Sequence, residues 1–291
     1  MSAPTPVLFD ELGPRGRRRV RVATGVAAVL IAAVVVAAVL RLHERGQFDA
    51  ALWAPLLDPR TEEFPLVWQR LGRGAAWTVV LGAAAMVLSL VIGVVIAVAR
   101  LSLPTAGRIP LIGVVELLRG LPVVVTILLV SVALPAVGWD SGPQWALVIG
   151  LTLYNCVIIS EILRAGVLAV PRGQVEAGSA VGLTRGQVMR GIQLPQAFRS
   201  MLPALISQLV VILKDTALGA VVLTGLDDLA RQGLQLRTVL NNGLQTLLVV
   251  AVIYIAINLV IGRLAVVLER RLSRSRSTSP EVEEAEQAVR A

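Results

Sequence analysis

One cysteine, one histidine and one lysine stand in a chain of 291 residues. Cys156 lies inside an apolar run, so it forms no disulfide within the chain and carries no information on redox compartment. With His43 the only histidine, zinc chemistry and Ser-His nucleophilic catalysis have almost nothing to build on. Lys214 stands in Val-Val-Ile-Leu-Lys-Asp-Thr, without the Gly-rich loop and Gly-Lys-Ser/Thr ending that cradle phosphates in a P-loop. The chain therefore does not bind ATP in that way. Charge is scarce too, at 16% of residues, which argues against an ordinary soluble surface.

What is present is apolar: 56% of residues are hydrophobic, gathered in long runs rather than at amphipathic spacing. Six runs, 22–40, 74–99, 109–137, 145–163, 202–223 and 244–268, approach or exceed the ~20 helical residues that cover a bilayer core of about 30 Å. None alternates polar with apolar as a barrel strand does. The fold class expected is all-α, a polytopic membrane protein with six transmembrane helices. The first run follows Arg15, Arg17, Arg18, Arg19 and Arg21, so a signal peptide has to be weighed. Its apolar stretch exceeds the typical core of about 7–15 residues, and no small-x-small site precedes Arg41. A retained helix over 20–41 behind a solvated tail, 1–19, is the expectation.

The net charge of +8 raises the question of nucleic acid, and its distribution answers it. With the N-terminus inside, sixteen Arg from Arg15 to Arg276 fall in cytoplasmic segments, five of them between Arg164 and Arg199. The outer segments hold seven: Arg41, Arg45, Arg60, Arg70, Arg73, Arg231 and Arg237. This asymmetry follows the positive-inside rule and puts both termini and the 164–199 loop in the cytoplasm. Connections 41–69, 138–144 and 225–243 lie outside; Trp53 and Trp68 in the first suit a membrane interface or a packed loop equally. From 273 the chain turns Ser/Arg-rich and then acidic at Glu281, Glu283, Glu284 and Glu286, a composition expected to stay disordered. Ser279-Pro280 could start a short helix there.

Within 164–199, residues 174–181 suit a helix, and Gly182 is placed to end it in a left-handed conformation. Thr184 and Gln187 have the spacing of a capping box for a second short helix, and Pro195 suits the first turn of the next span. Val175, Val181, Leu183, Val188, Met189 and Ile192 are apolar residues this pair would present. Helices so short need something to pack on. Either their own bundle or a separate protein could supply it.

Ionisable residues inside spans are costly and suggest a role. Glu116 and Arg119 share a helix face, as do Glu161 and Arg164, which suits a structural pair. Lys214 and Asp215 point about 100° apart on a helix and need partners elsewhere. Lys214 lies roughly 22 Å along its helix from Arg199, and Arg119 roughly 16 Å from Arg108, at 1.5 Å per residue. Gly120 and Pro122 should loosen the third span just past Arg119. Two readings stand. Arg119, Lys214, Asp215 and Thr216, with Glu116 beside them, line a polar path for a zwitterionic or charged solute. Alternatively Asp215 locks to Arg119 and Lys214 to Glu116. Asn155, Asn258, Ser207 and Gln208 are expected to bond helix to helix.

Residues 176–195 read Glu-Ala-Gly-x3-Gly-x9-Ile-x-Leu-Pro, with Glu176, Ala177, Gly178, Gly182, Ile192, Leu194 and Pro195 at the fixed positions. The spacing resembles the cytoplasmic coupling loop of ABC importer permeases, apart from Gly178, where that family usually has a second Ala. Residues 173–223 through Leu-Lys-Asp-Thr-Ala-Leu, Glu116-Leu-Leu-Arg119-Gly-Leu-Pro122, and Tyr154 through Glu161-Ile-Leu-Arg164-Ala-Gly resemble the polar amino acid branch. The resemblance covers roughly residues 70–270. It implies a five-helix permease core plus one N-terminal helix, in a bacterial cell membrane. It also implies a separate cytoplasmic ATPase gripping the loop, with Glu176 as first contact, an extracytoplasmic substrate-binding protein and a second permease, identical or related. No cofactor or metal is implied. The extension before residue 70 resembles glutamate-system permeases, and Arg119 and Lys214 favour an acidic solute; Asp215 and Glu116 would serve a basic one. A passive channel, a membrane scaffold and a membrane enzyme are the competing classes.

Overall fold

The computed structural model describes residues 13–140 and 142–274, the side chains of 268–274 excepted. Every element among the described residues is helical: α1 Pro14–Glu44, α2 Ala50–Leu57, α3 Phe64–Ser102, α4 Thr105–Gly120, α5 Val123–Ala136, α6 Pro143–Leu168, α7 Arg172–Ala180, α8 Arg185–Val188, α9 Leu194–Val222, α10 Leu229–Val239 and α11 Gly243–Arg274. A π-helical stretch, Met189–Gln193, joins α8 to α9. Five runs are long and apolar enough to cross a membrane: α1, α3, α6, the α8–α9 rod and α11. The pair α4–α5 makes a sixth if its arms count as one span. The chain is a multi-pass membrane protein. The expectations for residues 1–12 and for the tail from 275 lie outside the described residues, whereas 14–19 and 273–274, expected as tail, are the first turns of α1 and the end of α11.

The third run is not the loosened rod expected but two helices bent by 107° at Leu121–Pro122. Pro122 disfavours a helical conformation in the residue before it, and Leu121 accordingly sits at φ −85°, ψ 136°. Two connections also hold helices that hydropathy runs do not reveal. In the first, α2 is pinned where Trp68 Nε1 donates to the Leu56 carbonyl at 3.0 Å and Asn242 Nδ2 to the Leu52 carbonyl at 2.9 Å. In 225–243, α10 is capped by the buried Asp228, which accepts from Ala230 N and Arg231 N. Burial raises the Asp228 carboxyl above the usual carboxylate range.

Helix α6 is the centre of the bundle, with Leu147, Leu151, Val157, Ile159 and Leu163 buried against α3, α5 and α9. Lipid supplies little apolar driving force between helices, so close packing at small residues does much of the work. At Gly150 an added Cβ would lie 2.7 Å from the Ile127 Cα; at Gly93 it would lie 3.0 Å from the Cys156 carbonyl oxygen. A polar tie crosses this core between α6 and α9: Gln208 Nε2 on α9 donates to Asn155 Oδ1 on α6 at 2.6 Å. Ser207 and Asn258 do not bridge helices; each donates to the carbonyl four residues back on its own helix, which a short polar side chain reaches without leaving its turn. Helix α1 stands apart, with no buried residue along its length.

Candidate functional site

The 164–199 segment follows directly from the end of α6. Pro171, with no N–H to donate, takes the N-cap position of α7. At the far end of α7 the Leu183 amide donates to the Gly178 carbonyl at 3.1 Å and the Gly182 amide to the Ser179 carbonyl at 3.0 Å. These are the two bonds of a Schellman cap, and Gly182 adopts the φ of +85° that such a cap requires. Immediately after it the capping box forms: Thr184 Oγ1 accepts from Gln187 N, and Thr184 N donates to Gln187 Oε1 at 2.8 Å. Two caps back to back set the angle between α7 and α8.

The second helix does not stop before the next span, as the sequence reading has it. Pro195 cannot donate to the Gly191 carbonyl, so the backbone ladder slips by one residue and Leu194 N bonds the Met189 carbonyl. Through this π turn α8 runs on into α9, giving one continuous rod, Arg185–Val222. No loop intervenes between α8 and α9.

Gly178 is buried where α7 closes on this rod. A methyl group in place of its hydrogen would lie 2.7 Å from Ile192 Cδ1 and 3.1 Å from Val188 Cγ2. The apolar residues divide between two faces. Val175, Val188 and Met189 line a cavity of about 570 Å³ with Leu101 and Ser102 of α3 and Val167 and Leu168 of α6. Glu176, Ala177 and Val181 face outward, and Val181 is 78% exposed. Among the described residues Glu176 has no hydrogen bond or ion pair. Leu194 is half-buried and Pro195 exposed on the rod.

The charges proposed for a central path are not drawn together. Glu116 and Arg119 on α4 are exposed, Lys214 is exposed, Asp215 is half-buried, and Thr216 is buried with its hydroxyl on the Leu213 carbonyl at 2.7 Å. Neither the Asp215–Arg119 and Lys214–Glu116 lock nor the local Glu116–Arg119 pair forms among the described residues. Arg108 and Arg119 do share one straight helix, α4, but the 107° bend that follows turns the chain away, so that α4 does not continue through the bundle in the direction of α5. Lys214 instead lines a cavity of about 460 Å³ between α9 and α11, with Tyr254 and Asn258.

Glu161 does pair with Arg164, at 2.8 and 3.0 Å, but it also bonds Arg100 on α3. Sequence reasoning missed Arg100. It lies 61 residues from Glu161, and no local spacing connects the two.

The family model for the inner membrane component of binding-protein-dependent transport systems matches residues 89–274. The glutamate transport system permease protein GluD of Corynebacterium glutamicum is 36% identical over 242 residues, 81% of this chain and 85% of that protein. The arginine transport system permease protein ArtQ of Bacillus subtilis is 31% identical over 204 residues, 68% of this chain and 90% of that protein. A chain in the crystal structure of an amino acid ABC transporter with histidines is 30% identical, with a TM-score of 0.63 over 70% of this chain and 94% of its own. The passive channel does not survive these likenesses. The helical bundle, the loop between α6 and α9 and the extent of these matches lead to one assignment: the chain belongs to the inner membrane components of binding-protein-dependent transport systems, the permease subunits of ABC importers.

Proposed function

We propose that this permease carries a polar amino acid, glutamate in particular, across a bacterial cell membrane by alternating access driven by a separate ATPase. The observation that carries the docking part is the exposed face of α7, where Glu176 and Val181 stand unpartnered beside two fixed caps. In this reading Glu176, Ala177, Gly178, Gly182, Ile192, Leu194 and Pro195 form the element the ATPase grips. ATP hydrolysis belongs to that partner. The Arg distribution supports cytoplasmic termini and a cytoplasmic loop, with a substrate-binding protein on the opposite face and a second permease, identical or related, completing the transporter.

Support for glutamate comes from the relative named for it, which spans 81% of this chain, and from two cations, Arg119 and Lys214, that make no ion pair among the described residues. Arg119, Lys214, Asp215, Thr216 and Glu116 are the residues assigned to the solute path. A cation left without an internal partner in an apolar region is costly, and a carboxylate solute would supply one.

Glu176→Lys in the assembled transporter tests the docking role. The expected outcome is a fall of about 10-fold or more in ATPase recovered with the permease. Unchanged recovery together with unchanged substrate-stimulated hydrolysis rejects it. For the solute, uptake of labelled glutamate and of labelled arginine into vesicles holding the complete transporter decides between an acidic and a basic cargo.

A further inference from the structure

Both carboxylate oxygens of Glu161 are used, and they are used on two helices. One accepts from Arg100 Nη1 on α3; the other accepts from Arg164 Nε at 3.0 Å and Nη2 at 2.8 Å on α6 itself. The side chains are withdrawn from solvent, Arg100 at 10% exposed and Glu161 at 24%. Just beyond them, in the direction of the docking loop, lie Leu101 and Ser102 of α3 and Val167 and Leu168 of α6, which line the cavity under α7 and α8. The ends of α3 and α6 thus face α7 and α8 across this cavity.

The apolar contacts at this level, Ala97 with Ile159, Leu163 and Leu205, are non-directional and allow one helix to slide along another. A carboxylate held by two guanidinium groups is directional and resists sliding. Helix α9 already meets α6 closely, since a Cβ at Gly166 would lie 3.2 Å from the Ala197 carbonyl oxygen. Helix α3 meets α6 as closely at Gly93, and past that point the polar contact between the end of α3 and α6 among the described residues is Arg100–Glu161.

We propose that Glu161 is a positioning residue for energy coupling. Through Arg100 it holds the end of α3 to α6, so that a push on α7 and α8 moves both helices as one body. The inference rests on the docking reading above. It assigns a role to a side chain that touches neither the ATPase nor the solute. The interhelical half of the bridge carries the effect, and the Arg164 half orients the carboxylate.

The test uses the complete transporter, with ATPase and substrate-binding protein, reconstituted in vesicles. Arg100→Gln and Glu161→Gln are expected to recover ATPase in wild-type amount. In both, stimulation of hydrolysis by loaded binding protein falls at least about 5-fold, and uptake per ATP hydrolysed falls with it. Arg164→Gln, which leaves Arg100 paired, stays within about 2-fold of wild type, a contrast that a merely structural bridge would not produce. Should Glu161→Gln fail to fold, Arg100→Gln carries the same test, since Glu161 keeps Arg164. Full stimulation and unchanged uptake per ATP in Arg100→Gln overturn the proposal. Glu176→Lys separates the two ideas. If it blocks assembly while Arg100→Gln stays fully coupled, docking stands and the clamp falls. If it leaves both assembly and substrate-stimulated hydrolysis intact, the docking reading itself has failed.

Discussion

Gly178 shows how one hydrogen atom can set the shape of the α7–α8 loop. Its position between Ile192 Cδ1 and Val188 Cγ2 allows α7 to lie flat on the α8–α9 rod, and a methyl group there overpacks the contact. Gly178→Ala should therefore lower stability by about 1 kcal/mol, the overpacking cost outweighing the better helix propensity of Ala. Removing the colliding Cδ1 changes the sign. In an Ile192→Val background Gly178→Ala is expected to be neutral or stabilising by up to about 1 kcal/mol. Thermal unfolding of the four proteins in detergent measures the cycle, and equal effects in both backgrounds reject the packing account. At this scale the sequence was legible wherever the interaction is local. Gly182, Thr184 and Gln187 declare their caps because each partner lies within five residues. Gly178 could be read only as a departure from a family pattern, because its neighbour Ile192 comes from the next helix.

Among the elements, the α6–α9 contact carries a buried polar tie and lies on the same rod as α8. Gln208 Nε2 and Asn155 Oδ1 satisfy each other in an apolar surround, and Asn155 Nδ2 bonds the Leu151 carbonyl at 2.8 Å. Asn155→Leu leaves the Gln208 amide without that partner and should cost about 1–2 kcal/mol. Replacing both by Leu should cost less than the single change, because no buried amide is then stranded. Melting temperatures of the two variants check this, and a double variant less stable than Asn155→Leu rejects it. Hydropathy alone marked the long helices correctly, since about 20 apolar residues can do little else. It did not mark α2 or α10, whose short length and mixed composition carry no such signal; they are helical because Trp68, Asn242 and the Asp228 cap hold them. It placed a weakness at Gly120–Pro122 without its size, because a bend of 107° depends on what α4 and α5 pack against.

Taken as a whole, the molecule is a bundle organised around α6 with one helix outside it. Since α1 buries none of its residues against the rest, its packing contributes little to the stability of the other helices. A chain lacking residues 1–45 should melt within about 2–4 °C of the full chain, a window corresponding to roughly 1 kcal/mol at this size. A larger drop would mean that α1 packs on the bundle in the bilayer. The sequence by itself determined the apolar runs of membrane-spanning length, the uneven spread of arginine among the segments between them and the local caps of the loop between α6 and α9. Each of these depends on composition or on neighbours a few residues apart. Only the tertiary structure decided that Glu161 bridges two helices, that the expected lock among Arg119, Glu116, Lys214 and Asp215 is not made, and that α8 and α9 are one rod. Those outcomes depend on which distant side chains share a face after the helices bend and pack, and on a π turn whose ladder is set by Pro195 within a continuous rod.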